Sequence, residues 1–108
     1  MDHDGDNNKI PGLTEIDRII HEPARLNIVM HLYIVDSADF LFLERQTGLT
    51  RGNLSSHLSK LEKADYVKIT KEFIEKIPHT LIMLTEKGRE AFRRYKENLK
   101  NTLDGLPD

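Results

Sequence analysis

The sequence contains no cysteine. That absence excludes disulfides, thiol nucleophiles and Cys-based zinc sites in one step. It also has no apolar run of the roughly 18 residues that a membrane-spanning helix needs. The opening segment, MDHDGDNN, is acidic and polar, without the basic and then apolar order of a secretory signal. No Gly-x-Ser-x-Gly elbow, P-loop or Rossmann glycine pattern occurs. Ser55, Ser56 and Ser59 neighbour His57, but no oriented acid accompanies them. His21, His31, His57 and His79 each lack a second His or Cys at ligand spacing, and His3 sits between Asp2 and Asp4 near the start. These absences lead us to expect no enzyme, no metal site and no cofactor.

What is present is an uneven distribution of charge. The net charge is −2. Residues 1–44 hold 3 Lys/Arg against 9 Asp/Glu, whereas residues 45–100 hold 13 against 7. Such asymmetry points to a polyanion-facing surface in the second half, or to solvated helix faces that happen to carry the charge. A chain of 108 residues is expected to form one domain.

Periodicity predicts a mainly α protein with a small β-hairpin. Residues 1–12 read as a disordered acidic tail. Thr14 to Ile20, with Leu13, Ile16, Ile19 and Ile20 apolar, suggests a short helix. Pro23 suits the first turn of a second helix, which runs to about Val35. Asp36 to Asp39 is a connection, with a short strand at Phe40. Leu41 to Thr47 reads as a third helix that Gly48 ends. Thr50 is an N-cap candidate for a helix from Arg51 to about Ala64, in which Leu54, Leu58 and Leu61 form one inward stripe. From Tyr66 to Phe73, and again from His79 to Leu84, the period falls to about 2. This predicts an antiparallel hairpin with Ile77-Pro78 in its turn region. Thr85 then caps a long helix striped with Phe92, Tyr95, Leu99 and Leu103, and Gly105 and Pro107 end it.

The segment FLFLERQTGLTRGNLSSHLSKLEKADY, residues 40–66, has the layout of a helix-turn-helix. With the leucines inward, Gly52, Asn53, Ser56, Ser59, Lys60 and Lys63 fall on the outer face. Ser, Asn and Gly are poor surface helix formers, so a merely solvated face would hold Glu, Lys and Ala more readily. Arg51 has the chemistry to pair bidentately with guanine, and Asn53 with adenine. The short serines let a helix sit close in a groove. Lys60 and Lys63 suit phosphates, and so do Thr50 and the free N–H groups beside it. Lys71, Lys76 and His79 flank the hairpin turn, where Glu72 and Glu75 oppose them.

The run LERQTGLTRGNLSSHLSKLEKADYVKITKEF, followed by PHTLIMLTEKGREAFRRY, resembles small winged-helix transcriptional regulators of the archaeal and bacterial type, relatives of the MarR and ArsR families. The resemblance covers residues 15–100 or so. It implies a winged helix-turn-helix with a three-helix core, a wing at 67–84 and a long C-terminal helix. It also implies a homodimer reading a pseudo-palindromic duplex site, with Thr50, Arg51, Gly52, Asn53, Ser55 and Ser56 as the reading edge. Two departures stand out. Relatives usually have Gly where this chain has Asp65, and often carry an Arg near the wing tip, where this chain has Pro78-His79-Thr80.

The expected organisation is a tail at 1–12, a DNA-binding domain at 13–84, a dimerisation helix at 85–104 and a tail at 105–108. Ile16, Ile19, Ile20, Phe92, Tyr95, Leu99 and Leu103 are the expected dimer contacts. The expected function is sequence-specific binding of double-stranded DNA by a cytoplasmic regulator, with repression as the default. The alternative is a winged helix that binds protein instead of DNA. A small-molecule effector, if one exists, would sit at the dimer interface near Met30, Tyr33 and Tyr95.

Overall fold

In the computed structural model, which describes residues 12–108, local capping chemistry sets where most elements begin. Helix α1 is Pro23–Ile34; Glu22 caps it, its side chain accepting from the Arg25 backbone N–H. Strand β1 is Ala38–Asp39. Helix α2 is Phe40–Thr47, where the Asp39 carboxylate accepts from the Phe42 N–H. Gly48 stops it at φ 74, a left-handed conformation in which glycine has no Cβ to clash. Helix α3 is Arg51–Lys63, and its cap is Thr50, which accepts from the Asn53 N–H. Strands β2, Val67–Ile74, and β3, Ile77–Leu84, form the hairpin. Helix α4, Glu86–Asp104, is capped by Thr85.

The strands form one antiparallel sheet in the order β1-β3-β2. Val67 faces Leu84 at the base of the hairpin, and Ile74 faces Ile77 at its tip. Strand β1 pairs only with Leu81 and Ile82, so the outer half of β3 has a neighbour on one side alone. The core lies between the helices and the base of the sheet. Ile28, Val29 and Leu32 of α1, Leu43 of α2, and Leu54, Leu58 and Leu61 of α3 are buried there with Val67 and Ile82. Helix α4 adds Ala91, Phe92 and Tyr95. Gly88 lets its first turn press on the chain entering β2: a Cβ there would collide with the backbone carbonyl of Tyr66.

Several expectations need correction. Residues 14–20 form turns, not a helix. The Asp17 carboxylate takes the N–H groups of Ile19 and Ile20, at 2.9 and 3.2 Å, which holds the backbone out of helical pairing. The short strand lies at Ala38–Asp39, and Phe40 opens α2. The hairpin turn is Glu75-Lys76, at φ 52 and 70, and Ile77 and Pro78 belong to β3. Of the tail expected at 1–12, residues 1–11 lie outside the described residues. Gly12 belongs to a turn whose carbonyl accepts from the Glu15 N–H.

The expected dimer contacts divide by burial. Ile16, Ile20, Phe92 and Tyr95 are buried within their own chain, and Ile19 packs partly on the same core. Phe92 packs against Tyr33 with the rings tilted at 55° and their centres 4.8 Å apart, and the Tyr95 hydroxyl is hydrogen-bonded to His21 Nδ1 at 2.9 Å. Leu99 packs partly on the core, whereas Leu103 is 57% exposed. No described helix is long and apolar enough to cross a membrane.

Candidate nucleic-acid interface

Helices α2 and α3 meet across Gly48-Leu49-Thr50, and Leu49 packs on the core beneath the bend. Leu54, Leu58 and Leu61 anchor α3 from below. The opposite face is therefore presented outward. Thr50, Arg51, Gly52, Asn53, Ser55, Ser56, Ser59, Lys60 and Lys63 are all exposed. On the hairpin, Lys71 and Lys76 are exposed, while His79 is half-buried with its Nδ1 3.9 Å from the Asp39 carboxylate. A groove of about 570 Å³ separates α3 from the hairpin. Arg51, Ser55, Ser59, Lys71, Pro78 and His79 are among its walls. The structure thus brings Arg51, Ser55, Ser59, Lys71 and His79 to one groove, whereas Thr50, Gly52, Asn53, Ser56, Lys60, Lys63 and Lys76 are exposed outside it.

Arg51 is not a free side chain. Its Nη2 lies 3.6 Å from the Glu44 carboxylate of α2, and its guanidinium sits 5.7 Å from the centre of the Phe40 ring. It nevertheless remains 69% exposed. A guanidinium held this way has its forked donors oriented, yet only a solvated and weak ion pair to give up. Sequence reading missed Glu44 and Phe40 as its supports, because seven and eleven residues separate them from Arg51 across a bend.

His57, on the inner flank of α3, has a structural partner. Arg25 Nη1 donates to its Nδ1 at 3.2 Å, while Arg25 Nε donates to the Ile19 carbonyl at 2.6 Å. Glu22 lies 3.9 Å from the same ring nitrogen. The Glu22 carboxyl is held below its ordinary pKa, first by the Arg25 backbone N–H and, against the opposing effect of burial, by the charges of His57 and Arg25. This trio ties the start of α1 to α3. Among the described residues no group of three His, Asp or Glu side chains is placed to hold a metal ion.

A second tie fixes the base of the hairpin. The Tyr66 hydroxyl donates to the Asp17 carboxylate at 2.5 Å. Burial, and then this hydrogen bond, push the Tyr66 phenol from 10.0 up to about 12. Asp65, beside it, adopts φ 64, the left-handed backbone that glycine usually supplies.

Comparison with known proteins agrees with this geometry. Residues 24–103 match the family model described as a winged helix DNA-binding domain. A protein of Methanocaldococcus jannaschii, itself uncharacterised, is 37% identical over 78 residues, covering 72% of this chain and 85% of that one. The structure of a transcriptional regulator homologue from Pyrococcus horikoshii superposes with a TM-score of 0.84 at 35% identity, covering 90% of this chain and 98% of that one. The fold also matches the transcriptional repressor CouR bound to a 23-mer DNA duplex, with a TM-score of 0.68 at 20% identity over 89% of this chain and 81% of that one. With its family model spanning α1 through most of α4, and a transcriptional regulator homologue matched at 35% identity over 90% of its length, the chain belongs to the winged helix DNA-binding domain family.

Proposed function

We propose that the protein binds a specific double-stranded DNA site as a homodimer and represses transcription in the cytoplasm by occupying that site. The observation that carries this reading is the outer face of α3. It is capped by Thr50, opened by Arg51 and lined by Gly52, Asn53, Ser55, Ser56 and Ser59, all exposed. Small polar side chains allow close approach to base edges in the major groove, where Arg51 and Asn53 supply bidentate hydrogen bonds. Lys60, Lys63, Lys71 and Lys76 supply phosphate contacts and most of the affinity. Residues 13–84 carry the reading surface.

Residues 85–104 carry the dimer contact. Between α1 and α4 runs an apolar groove of about 440 Å³, whose walls include Leu26, Met30, Leu99 and Leu103. A second copy covering this groove removes Met30 and Leu103 from water and places two reading helices on one duplex. The relationship of two copies by a two-fold axis demands a pseudo-palindromic site with half-sites about one helical turn apart.

Selection from a random duplex library tests the reading. The expected outcome is an inverted repeat, bound by wild type and not by Arg51→Ala with Asn53→Ala. Recovery of no enriched sequence, or equal binding by the double variant, would sink it.

A further inference from the structure

The wing does not end like a solvated hairpin. Beyond the Thr70–Leu81 pair, four residue pairs project past the core, roughly 14 Å of strand. The last two are Phe73–Pro78 and Ile74–Ile77. Phe73 is 76% exposed and Ile77 59%, and Ile74 and Pro78 are exposed as well. Paired residues share a face and successive pairs alternate, so the tip is apolar on both sides. It has no core to serve there. The turn itself holds Glu75 and Lys76 at φ 52 and 70, conformations that a side chain disfavours.

We propose that this tip is an apolar wedge for the DNA minor groove, with Phe73 as the inserting side chain that partly unstacks one base step and kinks the duplex. The inference rests on the DNA reading above. Three observations select this occupant. Ile77 and Pro78 line the same groove as Arg51, Ser55 and Ser59, so the tip belongs to the surface that faces the duplex. Lys68, Lys71 and Lys76 lie on the same hairpin, more than offsetting Glu72 and Glu75, and match the phosphates that border a groove. Size then limits what enters. The minor groove is about 6 Å wide, while paired strands already stand about 4.8 Å apart before side chains are added. The hairpin body stays outside and only tip side chains go in. Apolar residues inserted at a base step are a known means of bending DNA toward the major groove, at a cost that depends on how easily the step opens. The wedge thus replaces the arginine that this wing lacks, and it reads deformability instead of hydrogen bonds.

The test compares two duplexes of equal charge and base composition: alternating dT-dA, whose pyrimidine–purine steps open easily, and a dA·dT tract, which is stiff. Anisotropy titrations should show the alternating duplex bound about tenfold more tightly by wild type, the scale of one aromatic stacking contact. Phe73→Ala should erase that preference while keeping the fold by circular dichroism and the affinity for the tract. Phe73→Trp gives the only tryptophan in the chain, and its emission should be quenched by the alternating duplex. Equal binding of the two duplexes by wild type, or unchanged preference and unquenched emission in the variants, overturns the wedge and leaves the DNA reading standing. No binding of either duplex overturns both.

Discussion

Arg51 on α3 lies 3.6 Å from Glu44 on α2, so the residue proposed to read a guanine is held by a carboxylate of its own scaffold. The pair is solvated and therefore weak, and DNA phosphates and base edges compete with Glu44 for the guanidinium. Removing the carboxylate charge with Glu44→Gln should tighten duplex binding by a few-fold. Arg51→Ala should weaken it by roughly 1–3 kcal/mol at the selected site and relax choice at one base position. Anisotropy titration of both variants against matched and mismatched duplexes checks this. Weaker binding by Glu44→Gln would mean that the carboxylate positions Arg51 for DNA and does not compete with it.

Leu103 projects from α4 at 57% exposure beside the apolar groove. Leu103→Glu should leave the fold intact, because nothing buried within the chain is disturbed. It should convert a dimer to a monomer in sedimentation equilibrium by placing a charge in a desolvated contact. DNA affinity should fall with it, since two linked half-sites bind far more tightly than one. A wild type that is monomeric at micromolar concentration would remove the assigned interface.

Tyr66 makes stability depend on pH at the alkaline end. Its folded pKa, about 12, exceeds its ordinary 10.0. The unfolded chain therefore releases the phenolic proton first. Stability from this group is full below pH 10 and is lost as pH rises from 10 through 12. Urea unfolding across that window should show a component of the loss that Tyr66→Phe lacks. Parallel curves for the two proteins would show that the fold does not hold the phenol neutral above its ordinary range.

Gly88 sits where α4 presses on Tyr66, the residue just before β2. Gly88→Ala puts a Cβ into the Tyr66 backbone carbonyl, and backbone on neither side can yield cheaply. Overpacking of this kind costs typically 1–3 kcal/mol. Chemical denaturation should register that loss even though alanine is the better helix former. A more stable variant would mean that α4 shifts freely against the sheet.

Helix α3 was legible because each of its devices is local. Thr50 caps, Gly48 turns, and Leu54, Leu58 and Leu61 repeat at helical spacing, as the structure bears out. Asp65, where relatives usually have Gly, adopts a left-handed backbone. What escaped was set by distant partners or by uncommon turn chemistry. Ile16, Ile19 and Ile20 have helical spacing, but Asp17 captures the backbone N–H groups of Ile19 and Ile20, a choice that sequence spacing does not express. Glu75-Lys76 turns the hairpin without Gly or Asn, so Pro78 looked like the turn signal instead. Proline is tolerated in β3 because β1 ends before reaching it. The links from Arg25 to His57 and from Asp17 to Tyr66 span 32 and 49 residues, and no local pattern announces them.

The most direct measurement is fluorescence anisotropy of wild-type protein with a labelled random-sequence duplex, titrated at several salt concentrations. Lys60, Lys63, Lys71 and Lys76 from each of two protomers would release counterions together. The logarithm of the affinity should therefore fall linearly with the logarithm of salt, losing about a thousandfold or more between roughly 50 and 200 mM. Absence of binding at the lowest salt, or affinity indifferent to salt, would contradict a phosphate-contacting surface and turn attention to a protein partner for the face of α3.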